Sequence, residues 1–267
     1  MIRGELGFLL RGIVGVNVLL GLVLLTVYGH DLPSLLGVLA ARSPQLLFGS
    51  ARLAEFGGGF SANILISLAA MALAMVAGTL LGNGLISPSL AIKGPCAAAM
   101  NVLRNSPWLV ILYAMLYLLP FEFRLFGHSF NFSPFLKAVV GLSLPIAANF
   151  AEIFRGGVNS IPSGQWESAR ALGYRRVQIL RHIVIPQSIP LMIPNIMSLY
   201  AALFIGTSLV VVTGTSDVLS VTRTIIATEG ERIATGLYIY VLALFFIFCF
   251  PIAVASRWLE LRLQSRA

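Results

Sequence analysis

The chain has 267 residues, of which 58% are hydrophobic and only 10% charged. A soluble domain carries about 25% charged residues, so water is excluded as the solvent for most of this sequence. Two cysteines, Cys96 and Cys249, exclude a disulfide framework and read as small apolar residues.

A helix that crosses a bilayer needs about 20 mostly apolar residues, and six stretches reach or approach that length. The first, Phe8–Tyr28, follows Arg3 as a secretory signal would. It is longer than a signal core and is followed by Gly29-His30-Asp31 rather than a small-x-small cleavage site, so it reads as a retained membrane helix. The connection Gly29–Gly59 holds Pro33, Pro44 and the triple glycine Gly57-Gly58-Gly59. Its apolar middle, Leu32–Phe56, is interrupted by Arg42 and Arg52, a pattern that predicts short helices at the membrane interface. The second stretch, Phe60–Leu81, leads into Gly82 and repeats small residues at Ala70, Ala74, Gly78 and Gly82, a seam for close helix packing. The third, Pro107–Pro120, reaches spanning length only if its helix begins near Cys96. Pro134–Ala151, the long Ile183–Val212 and Thr235–Ser256 complete the set. The predicted fold is an all-α integral membrane protein with about six transmembrane helices and a short cytoplasmic helix between the fourth and fifth. Residues 1–59 form an N-terminal helix and extracytoplasmic loop, and residues 60–267 form a core whose polar loop runs over 152–186.

With the N-terminus cytoplasmic and six alternating spans, twelve of the eighteen lysines and arginines fall on the cytoplasmic side. That imbalance is the positive-inside pattern. It accounts for the net charge of +8 without a nucleic-acid partner.

Polar side chains inside spans are costly in lipid and face a cavity or another helix. Asn63, Ser67, Asn149, Asn195, Ser198, Thr207 and Ser208 are therefore candidates to line a substrate path, and helix–helix hydrogen bonding is the alternative for each. Pro186, Pro190 and Pro194 recur at intervals of four and suit either a hinge or relief of packing at a helix entrance.

The loop after the fourth span is the most polar part of the chain. Pro162-Ser163-Gly164 reads as a turn, with Ser163 as a helix cap and Glu167 in the first turn. A short helix over Gln165–Leu172 follows, and Gly173 stands where a left-handed glycine would end it. Ala169 and Ala171 keep the helix slim, while Trp166 and Leu172 project from it. Tyr174–His182 is basic and amphipathic, and Pro186 opens the next span. Shape alone fits an interfacial loop helix or an insert for a partner's groove.

This loop resembles the EAA loop of bacterial ABC import permeases. The family pattern is Glu-Ala-Ala, three residues, Gly, nine residues, then Ile-x-Leu-Pro. Here Glu167-Ser168-Ala169, Gly173 and Ile183-Val184-Ile185-Pro186 keep that spacing. Permeases for polar amino acids add further matches at Arg104-Asn105-Ser106-Pro107, at Ala151-Glu152-Ile153-Phe154-Arg155-Gly156-Gly157 and at Gly164-Gln165-Trp166-Glu167-Ser168-Ala169. The resemblance runs from about Phe60 to Ser256. One departure stands out: where these permeases have Lys-Asp-Thr-Ser-Leu, this chain has Ile205-Gly206-Thr207-Ser208-Leu209.

The resemblance implies an inner-membrane importer subunit with cytoplasmic termini that carries a polar amino acid. Its implied partners are a dimer of ABC ATPase subunits, a second permease subunit, an extracytoplasmic solute-binding protein and membrane lipid. ATP and Mg would sit on the ATPase, since no Gly-Lys occurs here to build a phosphate-binding loop. The chain itself is expected to bind no cofactor or metal and to be no enzyme. The implied docking residues are Gln165, Trp166, Glu167, Ser168, Ala169, Ala171, Leu172 and Gly173. Two other readings remain: the gating half of a heterodimeric permease, or a transporter driven by an ion gradient.

Overall fold

The computed structural model describes residues 2–50, 58–125 and 128–264. Helix α1 (Ile2–Tyr28) passes through one 3₁₀ turn into α2 (Leu32–Phe48). The connection expected to hold interfacial helices is thus one 17-residue helix over its first half. Arg52, Phe56 and Gly57 lie outside the described residues. Pro33 is accommodated in the first turn of α2, where its missing N–H has no helical partner to lose. Helix α3 (Gly59–Leu85) begins at the glycines, and these now have a physical reason. Gly59 takes φ +60, and a Cβ on it would collide with the Leu46 carbonyl of α2. The backbones cross too closely for a side chain.

The expected third span is broken. Helix α4 (Leu90–Asn105) ends where Ser106 turns extended at ψ 138, and α5 (Trp108–Leu118) restarts after Pro107. A proline disfavours helical backbone in the residue before it. The 11 residues of α5 are about 16 Å of helix, short of a bilayer core of about 30 Å. Beyond it, β1 (Glu122–Leu125) and β2 (His128–Asn131) form a small antiparallel hairpin with Glu122 opposite Asn131. This hairpin had no counterpart in the sequence reading.

Helix α6 (Pro134–Asn159) is the centre of the molecule. It packs on α3, α4, α5 and α9, and 67% of its most apolar window is buried, against none for the window in α1–α2. The small-residue seam of α3 meets α6. A Cβ on Gly78 would lie 2.6 Å from the Ala147 carbonyl, and one on Gly82 would lie 2.7 Å from the Phe154 ring.

The short helices α7 (Ser163–Ala171) and α8 (Arg176–Ile179) follow α6. A five-residue π turn, Leu180–Val184, carries α8 into α9 (Ile185–Gly206), which ends in a 3₁₀ run to Thr213. Helices α10 (Val218–Glu229) and α11 (Ala234–Gln264) close the chain. Among the described residues, five helical stretches are long and apolar enough to cross a membrane: 11–48, 59–85, 134–159, 176–213 and 231–263.

A lysine explains how α5 can stop inside the apolar region. Lys137 of α6 is fully buried, and its Nζ donates to the carbonyls of Leu116 (3.1 Å) and Leu119 (2.6 Å) at the end of α5. It also lies 3.5 Å from the centre of the Phe121 ring. The cation satisfies carbonyls that the helix end leaves without partners and opposes the negative end of the helix dipole.

Candidate functional site

The polar residues gather at two ends of the helix bundle. At one end α7 lies on the tips of α3 and α6. Pro162, rather than Ser163, is the residue that flanks its start; Ser163 is already helical and makes no cap, and Glu167 lies beyond the first turn. The Pro162 ring fixes φ, and with ψ at 143 the residue leads into the helix without a side-chain cap. The helix end follows expectation more closely. Gly173 takes φ +82, its N–H donates to Arg170 O (2.9 Å), and the Tyr174 N–H donates to Ala169 O (3.1 Å). This pair of bonds is a Schellman motif, which satisfies the last carbonyls of the helix.

The faces of α7 are distinct. Ala169 is 2% exposed and Trp166 packs on the central core, so these two hold the helix down. At 100° per residue, Glu167, Ser168 and Ala171 fall on the opposite side, and Leu172, the residue that follows the helix, stands at its flank. All four are exposed, and Leu172, 77% exposed, belongs to none of the buried apolar clusters. Gln165 lies at the flank, where its Oε1 is 3.4 Å from Gln187 Nε2 of α9.

The chain leaves α7 through the non-helical residues 172–175. The Gln178 side chain accepts from the Arg175 N–H at 2.8 Å, Ile179 is buried, and helical backbone then runs unbroken from Arg176 to Thr213.

Nearby, α6 and α9 enclose a cleft of about 360 Å³ lined by Glu152, Gly156, Ser160, Met192 and Asn195. Glu152 accepts two hydrogen bonds from Arg155, at 2.6 and 2.9 Å, and Arg104 of α4 reaches it at 3.9 Å.

The other end is a buried polar knot. The Asn63 Nδ2 donates to both the carbonyl (3.2 Å) and Oγ1 (3.1 Å) of Thr207, and its Oδ1 accepts from the Val218 N–H (3.1 Å). Asp217 is fully buried. It caps α10 by accepting from the Ser220 N–H (3.0 Å) and hydroxyl (2.6 Å). The Gly59 N–H donates to Ser216 O at 2.8 Å, which stitches the start of α3 to the same segment. Burial pushes the Asp217 carboxyl above the ordinary aspartate range, against the opposing pull of its bonds to Ser220, Leu219 and Asn63.

The seven candidate path residues are therefore not gathered in one channel. Asn63 and Thr207 belong to the knot, and the Ser67 hydroxyl lies 3.1 Å from Tyr200 OH. The Ser198 and Ser256 hydroxyls are 2.9 Å apart, linking α9 to α11. Asn149 donates back to Pro145 O at 2.8 Å on its own helix. Ser208 borders a largely apolar groove with Ile205, Tyr238 and Phe245. Asn195 alone of the seven lines the cleft beside Glu152. At the departure noted in the sequence, Gly206 is packed so closely by the Trp108 ring that a Cβ would collide with it.

Sequence reading passed over Asp217 and Lys137. Asp217 had a signal, since an Asp three residues before Ser220 at the head of an apolar run is a capping pattern. Lys137 had only its type, a cation within a span.

Comparison with known proteins converges on one family. Residues 74–265 match the model of the binding-protein-dependent transport system inner membrane component. The chain is 33% identical over 78% of its length to the glutamate/glutamine/aspartate/asparagine transport system permease protein BztC of Rhodobacter capsulatus, covering 48% of that protein. It is 31% identical over 78% of its length to the inner membrane amino-acid ABC transporter permease protein YhdY of Escherichia coli, covering 56% of it. The chain thus spans about half the length of these two relatives. A shorter relative, the probable amino-acid ABC transporter permease protein YckA of Bacillus subtilis, is 30% identical over 76% of this chain and is covered over 86% of its own length. Among solved structures, a crystal structure of an amino acid ABC transporter with histidines superposes with a TM-score of 0.65 at 24% identity, over 76% of this chain and 92% of the other. That likeness establishes the shared helical fold.

Proposed function

Because the chain belongs to the family of binding-protein-dependent transport system inner membrane components, we propose that it is the membrane-spanning permease subunit of an ATP-binding-cassette importer for polar amino acids. The observation that carries the reading is α7: a short helix pinned by Trp166 and Ala169, presenting Glu167, Ser168, Ala171 and Leu172 outward, and followed after the four-residue turn 172–175 by the continuous helical run that contains α9. The outward face is the surface offered to the ATPase. Trp166 and Ala169 stay with the membrane domain and position that face.

ATP and Mg belong to the partner ATPase dimer. When the two ATPases close, each carries its bound α7, and the rigid run from Arg176 turns that displacement into a tilt of α9 against α6. The cleft between those helices, with Asn195 and the Glu152–Arg155 pair at its edge, would then change shape. Its polar groups suit a zwitterionic solute, which needs both an acceptor and a donor. The α7 end is cytoplasmic, as are both termini, and the knot end meets the solute-binding protein. The excess of basic residues near α7 supports this orientation. The relatives' names support the class of substrate. A second permease subunit, identical or homologous, completes the path.

The test is reconstitution with the ATPase and binding protein in proteoliposomes, with uptake of labelled glutamine and ATP hydrolysis followed together. Glu167→Lys is expected to abolish uptake and binding-protein-stimulated hydrolysis while leaving the permease folded. Full uptake by this variant would sink the docking assignment. Uptake without any ATPase subunit would sink the importer reading in favour of a gradient-driven carrier.

A further inference from the structure

A second cleft, of about 320 Å³, opens on the inner side of α7. Four elements each bring one cation to it: Lys93 from α4, Arg155 from α6, Arg170 from α7 and Arg176 from α8. Among the described residues, no carboxylate lines it. Glu152, outside the lining, offsets Arg155. Among the described residues, Lys93 and Arg170 make no ion pair, and Arg176 meets the Ile86 carbonyl (2.7 Å) and the face of Trp166. Convergent cations without a counter-charge repel one another and favour a bound anion.

The depth of the cleft points to the source of that anion. Membrane helices α3 and α6 both terminate at it, at Leu85 and Asn159. Twenty-seven residues of α3 span about 40 Å, which carries the helix from one edge of the hydrocarbon into the headgroup layer of the other. The neighbours of Lys93 on α4 are apolar and open: Leu90 is 82% exposed and Ile92 is 52% exposed. Cations at headgroup depth beside an uncovered apolar surface match both parts of a phospholipid.

We propose that this cleft binds the phosphate-bearing headgroup of an anionic membrane lipid, with the acyl chains lying along α4. The bound phosphate bridges Arg170 and Arg176 of the α7–α8 loop to Lys93 of the membrane helices. The lipid thereby fixes the loop's resting position. The assignment does not depend on the transported solute or on which protein docks outside α7.

The assembled transporter, extracted in a mild detergent, would be examined by native mass spectrometry after addition of phosphatidylglycerol or phosphatidylcholine. The wild type is expected to retain phosphatidylglycerol selectively. Lys93→Gln and Arg170→Gln should each weaken retention about fivefold, as expected for removing one interfacial cation, and the double variant should lose it roughly multiplicatively. The conservative Arg170→Lys variant should keep most of it. Both glutamine variants replace exposed side chains, so unfolding in zwitterionic detergent should match the wild type and confirm that the fold is retained. Equal retention of both lipids, or retention unchanged in the double variant, overturns the proposal. Displacement of phosphatidylglycerol by millimolar inorganic phosphate would reassign the cleft to a free anion. Unchanged lipid retention with weakened ATPase assembly would reassign it to an acidic protein surface.

Discussion

The two ends of the molecule are built on opposite plans. The α7 end is a nine-residue helix held by one buried alanine, one half-buried tryptophan and a backbone motif at Gly173. Glu167 and Ser168 on it are exposed, and Gln165 meets Gln187 of α9. The knot end buries Asn63, Thr207 and Asp217 completely and spends their hydrogen-bonding capacity on α3, the end of α9 and the start of α10. The first arrangement can be displaced as a unit at small cost to the core. The second cannot move without breaking buried bonds, each of which leaves an unsatisfied group costing about 1–3 kcal/mol. In the proposed lever, α7 supplies the moving end and the knot the fixed one.

This contrast is broken most severely at Asn63. Asn63→Leu removes three hydrogen bonds and strands the Val218 N–H and the Thr207 carbonyl. An unfolding loss of about 2–4 kcal/mol is expected, measured by denaturant or thermal unfolding in micelles. A change under 0.5 kcal/mol would show that the knot is no anchor. The next effect lies at the free end. Gly173→Val forces a β-branched residue to φ +82, which costs roughly 1–2 kcal/mol and should unwind the last turn of α7. Coupling of ATP hydrolysis to uptake should fall by more than the loss in stability predicts, because the outward face is disordered along with its cap.

Asp217 sharpens the comparison through pH. Its folded-state pKa is raised by burial, so between its unfolded value and that raised value the folded state binds more protons than the unfolded state. Stability from this group is fully present below the unfolded pKa and is lost as pH rises through the folded one. Asp217→Asn should flatten that slope. Asp217→Ala should also remove the α10 cap, at about 1 kcal/mol. Unfolding followed from pH 4 to 7 checks both, and an unchanged slope in Asp217→Asn would assign the titration elsewhere.

The sequence made one end legible and hid the other. Gly173 and the spacing from Glu167 to Pro186 are local signals, carried by residues near one another in the chain, so α7 and its end could be read in advance. Even there, the sequence shows Ser163 as a capping residue type but not that the helix already starts at it, with Pro162 as the flanking residue. The knot joins Asn63 to Val218 across 155 positions, and no periodicity reports a partner that far away. The polar residues in the spans were visible one by one. Which met each other, as Ser198 meets Ser256, and which lined open space, as Asn195 does, depended on the rotation of each helix about its axis. The break at Ser106-Pro107 was legible as a proline, but its consequence, an 11-residue α5 capped by Lys137, required knowing that a buried cation waited at its end.

The smallest expected effect on stability is the most informative about function. Leu172 is 77% exposed at the end of α7 and touches none of the buried clusters, so Leu172→Ala should change unfolding by less than about 0.5 kcal/mol. In the proposed docking, this open apolar side chain enters a pocket of the ATPase. Truncation there removes an anchor of the kind that costs more than about 1 kcal/mol in an interface, which is a fivefold or greater loss of affinity for the ATPase. Titrating the ATPase onto the purified permease, with unfolding measured on the same preparation, separates the two outcomes. Weaker assembly with an unchanged fold places the interface on the outward face of α7. Unchanged assembly would move the interface off that face and leave α7 a helix held against the membrane domain with nothing to transmit.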